Sequence, residues 1–314
     1  MKKEQLYGAL FGVAIGDALG VPAEFQSRGF LQNNPVTDFI GYKSHNQPPA
    51  TFSDDSSLTF CLAESLCNGY NLQDIAGKFI QWYDTAYWTA GNRVFDIGMT
   101  TNRAIGRLKN GTRPDLAGDF DEDSNGNGSL MRIMPLLFYI KDLDIHQRFE
   151  LIKQVSSVTH GHIRSVIACF YYLEMALQLL NGKEKQAAYT ETATIVQQFI
   201  SGENIIPKEI NLFSDLLKGD ITQLSIDNIS SSGYVMSTLK AAMWCFMRTA
   251  NFEDAVLMAV NLGSDSDTTG AVTGGLAGLY YGYDNIREKW RADIRRRDDI
   301  ADLCNRLYRS VCNK

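Results

Sequence analysis

The sequence predicts an all-α fold in a single domain spanning residues 1–314. Three observations carry this reading. Apolar residues recur at helical spacing in most windows, the alternation expected of strands is scarce, and no low-complexity linker divides the chain. Hydrophobic residues make up 45% of the chain and charged residues 21%, which supplies a large core and argues against a disordered chain.

Taken in order, the first segment is GALFGVAIGDALG at 8–20. Met1-Lys2-Lys3 ahead of an apolar run resembles a secretory leader. Glu4 interrupts the basic start and glycines break the run, so the segment is read as part of the fold. No other apolar stretch reads as long enough to span a bilayer. Residues 26–52 gather turn formers and read as a loop. Ser53 then stands as an N-cap, with Asp54 and Asp55 in the first turn of a helix running through LTFCLAESLCNG. A second loop, 111–128, precedes an apolar segment at 130–140. Residues 162–180 form a helix that stops at Asn181-Gly182. Residues 183–227 read as helical without legible chemistry, with turn formers at 218–232. Helices follow at 233–249 and at 252–261, the latter capped by Asn251 with Glu253 and Asp254 in its positive first turn. GSDSDTT at 263–269 leads into GAVTGGLAGLYYG, and 284–312 is a charged, amphipathic helical stretch.

Two of these helices form a pair. Glycine falls at 8, 12, 16 and 20 in one and at 270, 274, 278 and 282 in the other. Four-residue spacing lays each set along one face, and each glycine costs about 1 kcal/mol relative to alanine. Close approach of another helix compensates for this, so the two helices are expected to hold the two ends of the chain together in the core. The plainer alternative is a pair of alanine-like core faces.

Charge and composition exclude several function classes. With 36 acidic and 30 basic residues the net charge is -6, which speaks against a nucleic-acid backbone or an anionic membrane as the main partner. The four histidines form no HExxH zinc motif. The six cysteines form no CxxC and sit among apolar neighbours, which suits free thiols in a reducing cytoplasm.

The chemistry lies in two acidic clusters. Ser53-Asp54-Asp55 and Asp265-Ser266-Asp267-Thr268 each place two carboxylates and a short hydroxyl at a helix start. Each alone can be a helix cap and dipole complement. If they converge, four carboxylates must share one site, and a like-charge pair at ~4 Å costs several kcal/mol at an effective dielectric of ~20. Protonation or bound cations relieve that. The donors are all hard oxygens, which favours Mg²⁺ or Mn²⁺ over Zn²⁺. A third stretch, Asp121 to Ser129, fits half of a calcium loop, but Arg132 stands where the bidentate Glu belongs. Residues 125–129 are read instead as a glycine-rich loop whose N–H groups can receive phosphate oxygens, with Arg132 nearby, or as an ordinary loop.

Across almost its whole length the chain resembles the ADP-ribosylglycohydrolase family. GALFGVAIGDALGVPAEF, TFSDDSSLTF, FDIGMTTNRAI, SNGNGSLMRIMPL, SVTHGH, GYVMSTLKAAMWCF and NLGSDSDTTGAVTGGLAGLYYG carry the resemblance, in the family's order. It implies a compact orthogonal helical bundle with two Mg²⁺ or Mn²⁺ ions on Ser53, Asp54, Asp55, Asp265, Asp267 and Thr268. The family usually has threonine at Ser53, and serine keeps the hydroxyl. The resemblance further implies Glu24 on a flap over the metals and Asp96 near the bond to be cleaved. It puts residues 126–129, with Asn127, Gly128 and Ser129, and also His160, in an ADP-ribose pocket. Asp55 or Asp267 would guide the attacking water. The implied activity is hydrolysis of the N-glycosidic bond of ADP-ribosyl-arginine on modified proteins, reversing mono-ADP-ribosylation, by a cytoplasmic monomer. The alternatives are another ADP-ribose linkage (ADP-ribosyl-serine, poly(ADP-ribose) or a small conjugate) and an inactive ADP-ribose binder.

Overall fold

The computed structural model describes residues 1–312 and is built of helices, with no strand among those residues beyond two isolated bridges. The helices are α1 (Lys3–Gly20), α2 (Arg28–Asn33), α3 (Asp54–Leu66), α4 (Leu72–Thr85), α5 (Met99–Lys109), α6 (Leu136–Ile140), α7 (Ile145–Ser157) and α8 (Ile163–Leu180). They continue as α9 (Lys185–Gly202), α10 (Pro207–Asn211), α11 (Ser214–Leu217), α12 (Val235–Arg248), α13 (Phe252–Val260), α14 (Ser266–Tyr281), α15 (Glu288–Asp293) and α16 (Arg297–Cys312).

Local chemistry sets most boundaries. The Asn71 side chain caps α4, Asp144 and Gln147 form a capping box on α7, and Asn251 caps α13. The His162 side chain caps α8, and Gly182 beyond it takes the left-handed conformation at φ +86°. Three expectations need correction. The stretch 183–227 is helical only in part: α9 ends at Gly202 and the short α10 and α11 follow, separated by turns. The stretch 284–312 is broken: the chain turns at Arg296, φ +58°, between α15 and α16. The loop 26–52 contains α2, whose start Ser27 caps.

At the centre, α1 and α14 run antiparallel with glycine facing glycine. A Cβ added at Gly8, Gly12 or Gly16 would fall 2.0, 2.1 or 2.0 Å from the carbonyl oxygen of Gly278, Gly274 or Gly270. Only backbone against backbone fits, so the helices that begin and nearly end the fold are joined in its core. The register then fixes the site. At the end of α1, a Cβ on Gly20 would lie 2.3 Å from the Asp267 Cα. Three residues earlier, the buried Asp17 accepts hydrogen bonds from Ser53 N (2.9 Å), Ser56 N (3.0 Å) and Ser56 Oγ (2.5 Å). One helix end therefore holds the starts of both α3 and α14.

The apolar length of the chain is spent on this core. Residues 3–23 and α8 are each long and apolar enough to cross a membrane by length and composition, and each is 94% buried inside the fold. The reading that nothing beyond the N-terminal run reaches that length is corrected for α8. Every cysteine is free; Cys61, Cys169, Cys245 and Cys304 are buried and Cys312 is exposed.

Candidate active site

The two acidic clusters meet. Ser53 caps α3, its Oγ accepting from Asp55 N at 3.2 Å, and Asp54 and Asp55 occupy the first turn. Asp265 precedes α14, and Asp267 and Thr268 open it. The Thr268 hydroxyl donates to Asp55 Oδ1 at 3.4 Å across the gap between the helices. Asp54, Asp55, Asp265 and Thr268 line one cavity of about 360 Å³ together with Glu24, Asp96, Asn127, Gly128 and His160. Ser53 and Asp267 are not among the lining side chains; Asp267 Oδ1 accepts from Thr268 N at 2.9 Å. Ligand atoms of Glu24, His45, Asp96 and Asp267 fall within 4.8 Å of one another.

Electrostatics decide what such a site accepts. Burial, and then the neighbouring carboxylates, push Asp54, Asp55 and Asp267 well above the usual carboxylate range. Glu24 is raised to about 8 by burial and then by Asp265, and Asp96 to about 7 by burial and then by Glu24. Among the described residues His45 is the one basic side chain in ion-pair range of this group: it contacts Glu24 and lies 3.9 Å from Asp96 Oδ1. One oxygen each of Asp55 and Asp267 is buried with no hydrogen-bond partner. Unpartnered buried carboxylate oxygens, facing a cluster of hard donors and too little positive charge, fit divalent cations of the Mg²⁺ or Mn²⁺ type.

The segment carrying Glu24 is tied over this group. Phe25 N donates to the Ser264 carbonyl at 2.7 Å and Ser264 N to the Gln26 carbonyl at 2.8 Å, with Phe25 and Ser264 both at positive φ. Opposite, the Asn127 amide donates to Asp265 Oδ2 and to Thr238 Oγ1, both at 2.8 Å.

The ADP-ribosylglycohydrolase family model matches residues 1–314, the whole chain. The chain belongs to the ADP-ribosylglycohydrolase family. It is 32% identical over 305 residues to an ADP-ribosylarginine hydrolase of Serratia proteamaculans, covering 96% of this chain and 78% of the relative. It is 28% identical to the ADP-ribosyl-(dinitrogen reductase) glycohydrolase of Rhodospirillum rubrum, covering 93% and 90%. A solved chain of an ADP-ribosylglycohydrolase-related protein complex superposes with a TM-score of 0.82 at 31% identity, covering 98% of each chain.

Within this glycohydrolase the expected sugar-side residues divide. Asn127, Gly128 and His160 line the cavity. Ser129 does not: it is fully buried, accepting from Ser156 Oγ at 3.0 Å and touching Cys169 Sγ at 3.5 Å. Arg132, expected near phosphate, is also fully buried and turned to Val155 and Thr159. Nor is the glycine-rich loop free of internal bonds, since Asn127 N donates to the Gly233 carbonyl at 3.0 Å. The loop begins an irregular turn instead of a helix, so burial of alternate residues could not be read from periodicity.

Two residues escaped sequence reasoning. Asp17 positions Ser53, and its signal was a carboxylate inside an otherwise apolar glycine helix. His45, which reaches Glu24 and Asp96, sits in a turn-rich loop that carried no pattern.

Proposed function

We propose that this glycohydrolase cleaves the N-glycosidic bond between ADP-ribose and arginine side chains of modified proteins. The observation that carries the reading is the meeting of two acidic helix starts, each with an unpartnered carboxylate oxygen, beside a cavity lined by Asn127, Gly128 and His160. The arginine linkage named for the Serratia relative supports this choice.

In this reading Ser53, Asp54, Asp55, Asp265, Asp267 and Thr268 hold a pair of Mg²⁺ or Mn²⁺ ions. Bound there, hard divalent cations supply Lewis acidity toward ribose hydroxyls and lower the pKa of water. Asp55 and Asp267 orient the attacking water and take one of its protons. The anomeric carbon–nitrogen bond breaks as the carbon–oxygen bond from water forms, and the leaving nitrogen takes a proton from Asp96. Asp96 lines the cavity, and burial and Glu24 raise its carboxyl in the cation-free site. Glu24, tethered with its segment to Ser264, governs access.

The test is ADP-ribose release from arginine-modified and serine-modified proteins, with and without Mg²⁺ or Mn²⁺. Asp54→Ala and Asp267→Ala are each expected to fold and to lose at least about a hundredfold in turnover on the arginine substrate. Unchanged turnover in either variant, or full activity after exhaustive chelation, rejects the scheme. Release from serine-modified protein alone moves the activity to another linkage.

A further inference from the structure

Arg132, Thr159 and His160 form a chain that the proposed reaction does not use. Arg132 is fully buried, lies 4.7 Å over the Phe79 ring, and has no carboxylate partner among the described residues. Its Nη2 donates to the Val155 carbonyl at 3.2 Å and to Thr159 Oγ1 at 2.7 Å, while Nε and Nη1 have no partner. A guanidinium holds only donors, so Thr159 must accept that bond. The hydroxyl hydrogen of Thr159 is then left for His160 Nδ1, 2.8 Å away. A ring nitrogen that accepts carries no proton, and in a neutral imidazole the proton sits on the other nitrogen, Nε2. Burial and then the charge of Arg132 hold His160 down to about 3, so the ring is neutral. Its free edge faces the glycine loop. A Cβ on Gly128 would lie 2.7 Å from His160 Cε1 and 3.3 Å from Nε2, so only glycine leaves that edge open to the cavity that His160 lines.

We propose that Arg132 and Thr159 are positioning residues that lock His160 in its Nε2–H tautomer, so that the cavity wall presents one uncharged N–H donor to an acceptor oxygen of the ligand. A ligand hydroxyl offering its hydrogen at this point finds no acceptor. The identity of the ligand rests on the ADP-ribose reading above; the tautomer does not.

The experiment is ring nitrogen-15 NMR on the full chain labelled at histidine, with the His160 signals assigned by His160→Gln. The expected spectrum has Nε2 protonated and Nδ1 bare across about pH 5 to 8. Thr159→Val is expected to populate the Nδ1–H form and to weaken ADP-ribose binding, read by calorimetry, about five- to tenfold. Thr159→Ser, which keeps the hydroxyl, should restore both. A protonated Nδ1 in the unaltered protein, or an unchanged tautomer in Thr159→Val, overturns the proposal. The unaltered protein decides the tautomer even where Thr159→Val does not fold. An Nε2–H ring in a protein that does not bind ADP-ribose upholds the lock and overturns the substrate reading instead.

Discussion

Asn127 belongs to neither acidic cluster, yet it governs one of them. Its amide holds Asp265 Oδ2 with one hydrogen and Thr238 Oγ1 with the other, which fixes the direction of a carboxylate at the cavity. A partner that orients a metal ligand typically contributes 10- to 100-fold in affinity. Asn127→Ala is therefore expected to lower Mn²⁺ affinity by about tenfold or more while the fold persists, read by calorimetric titration. Unaltered affinity would mean that Asp265 takes no part in holding the ion. Ser129, two residues along, shows the limit of reading at this scale. Both residues stand in the same SNGNGS motif, but one faces the acids and the other packs against Cys169 and Ser156. An irregular turn has no period, so composition marked the loop without telling which of its side chains faces inward.

Helices were legible where the chain repeats itself. The four-residue glycine spacing of α1 and α14 states a bare face outright, and the facing carbonyls meet that expectation except at Gly282, which ends α14 at φ +84° and faces no neighbour. The capped starts of α3 and α13 follow from residues within three positions, which is why they were readable, whereas the cap that His162 makes on α8 was not read. Contacts such as Asp17 to Ser53 and Ser56 join separate elements, so the lone carboxylate in the glycine helix could be seen in the sequence while its partners could not. The glycine faces give a sharp contrast. Gly12→Ala or Gly274→Ala drives a methyl to 2.1 Å from a backbone carbonyl oxygen, which no side-chain rotation relieves. A loss of about 3 kcal/mol or more in unfolding free energy is expected by urea titration, at the upper end of overpacking costs. Gly77→Ala in α4 and Gly106→Ala in α5 meet open space and should gain about 1 kcal/mol from helix propensity. Equal effects at all four positions would dismiss backbone contact as the reason for the glycines.

At the scale of the whole molecule, packing α1 against α14 brings Asp17, Glu24, Asp54, Asp55, Asp96, Asp265 and Asp267 together where α1 ends and α14 begins. Folding without cations must therefore concentrate charge that the unfolded chain disperses. The sign of the consequence follows from the raised carboxyls. Unfolded, these acids release their protons near pH ~4. Folded, Asp96 keeps its proton to about 7 and Glu24 to about 8, with Asp54, Asp55 and Asp267 also raised. Between those limits the native state binds more protons than the unfolded state, so stability falls as pH rises. In chelator, the melting temperature should decline from about pH 5 to about pH 8. Millimolar Mg²⁺ or Mn²⁺ acts oppositely, because ionised carboxylates bind cations more tightly and binding stabilises the native state by mass action. The gap between the chelated and the metal-loaded melting temperatures should then widen with pH. Parallel profiles in scanning fluorimetry would show that the carboxylates are balanced by something other than cations, and would detach the acidic cluster from metal binding.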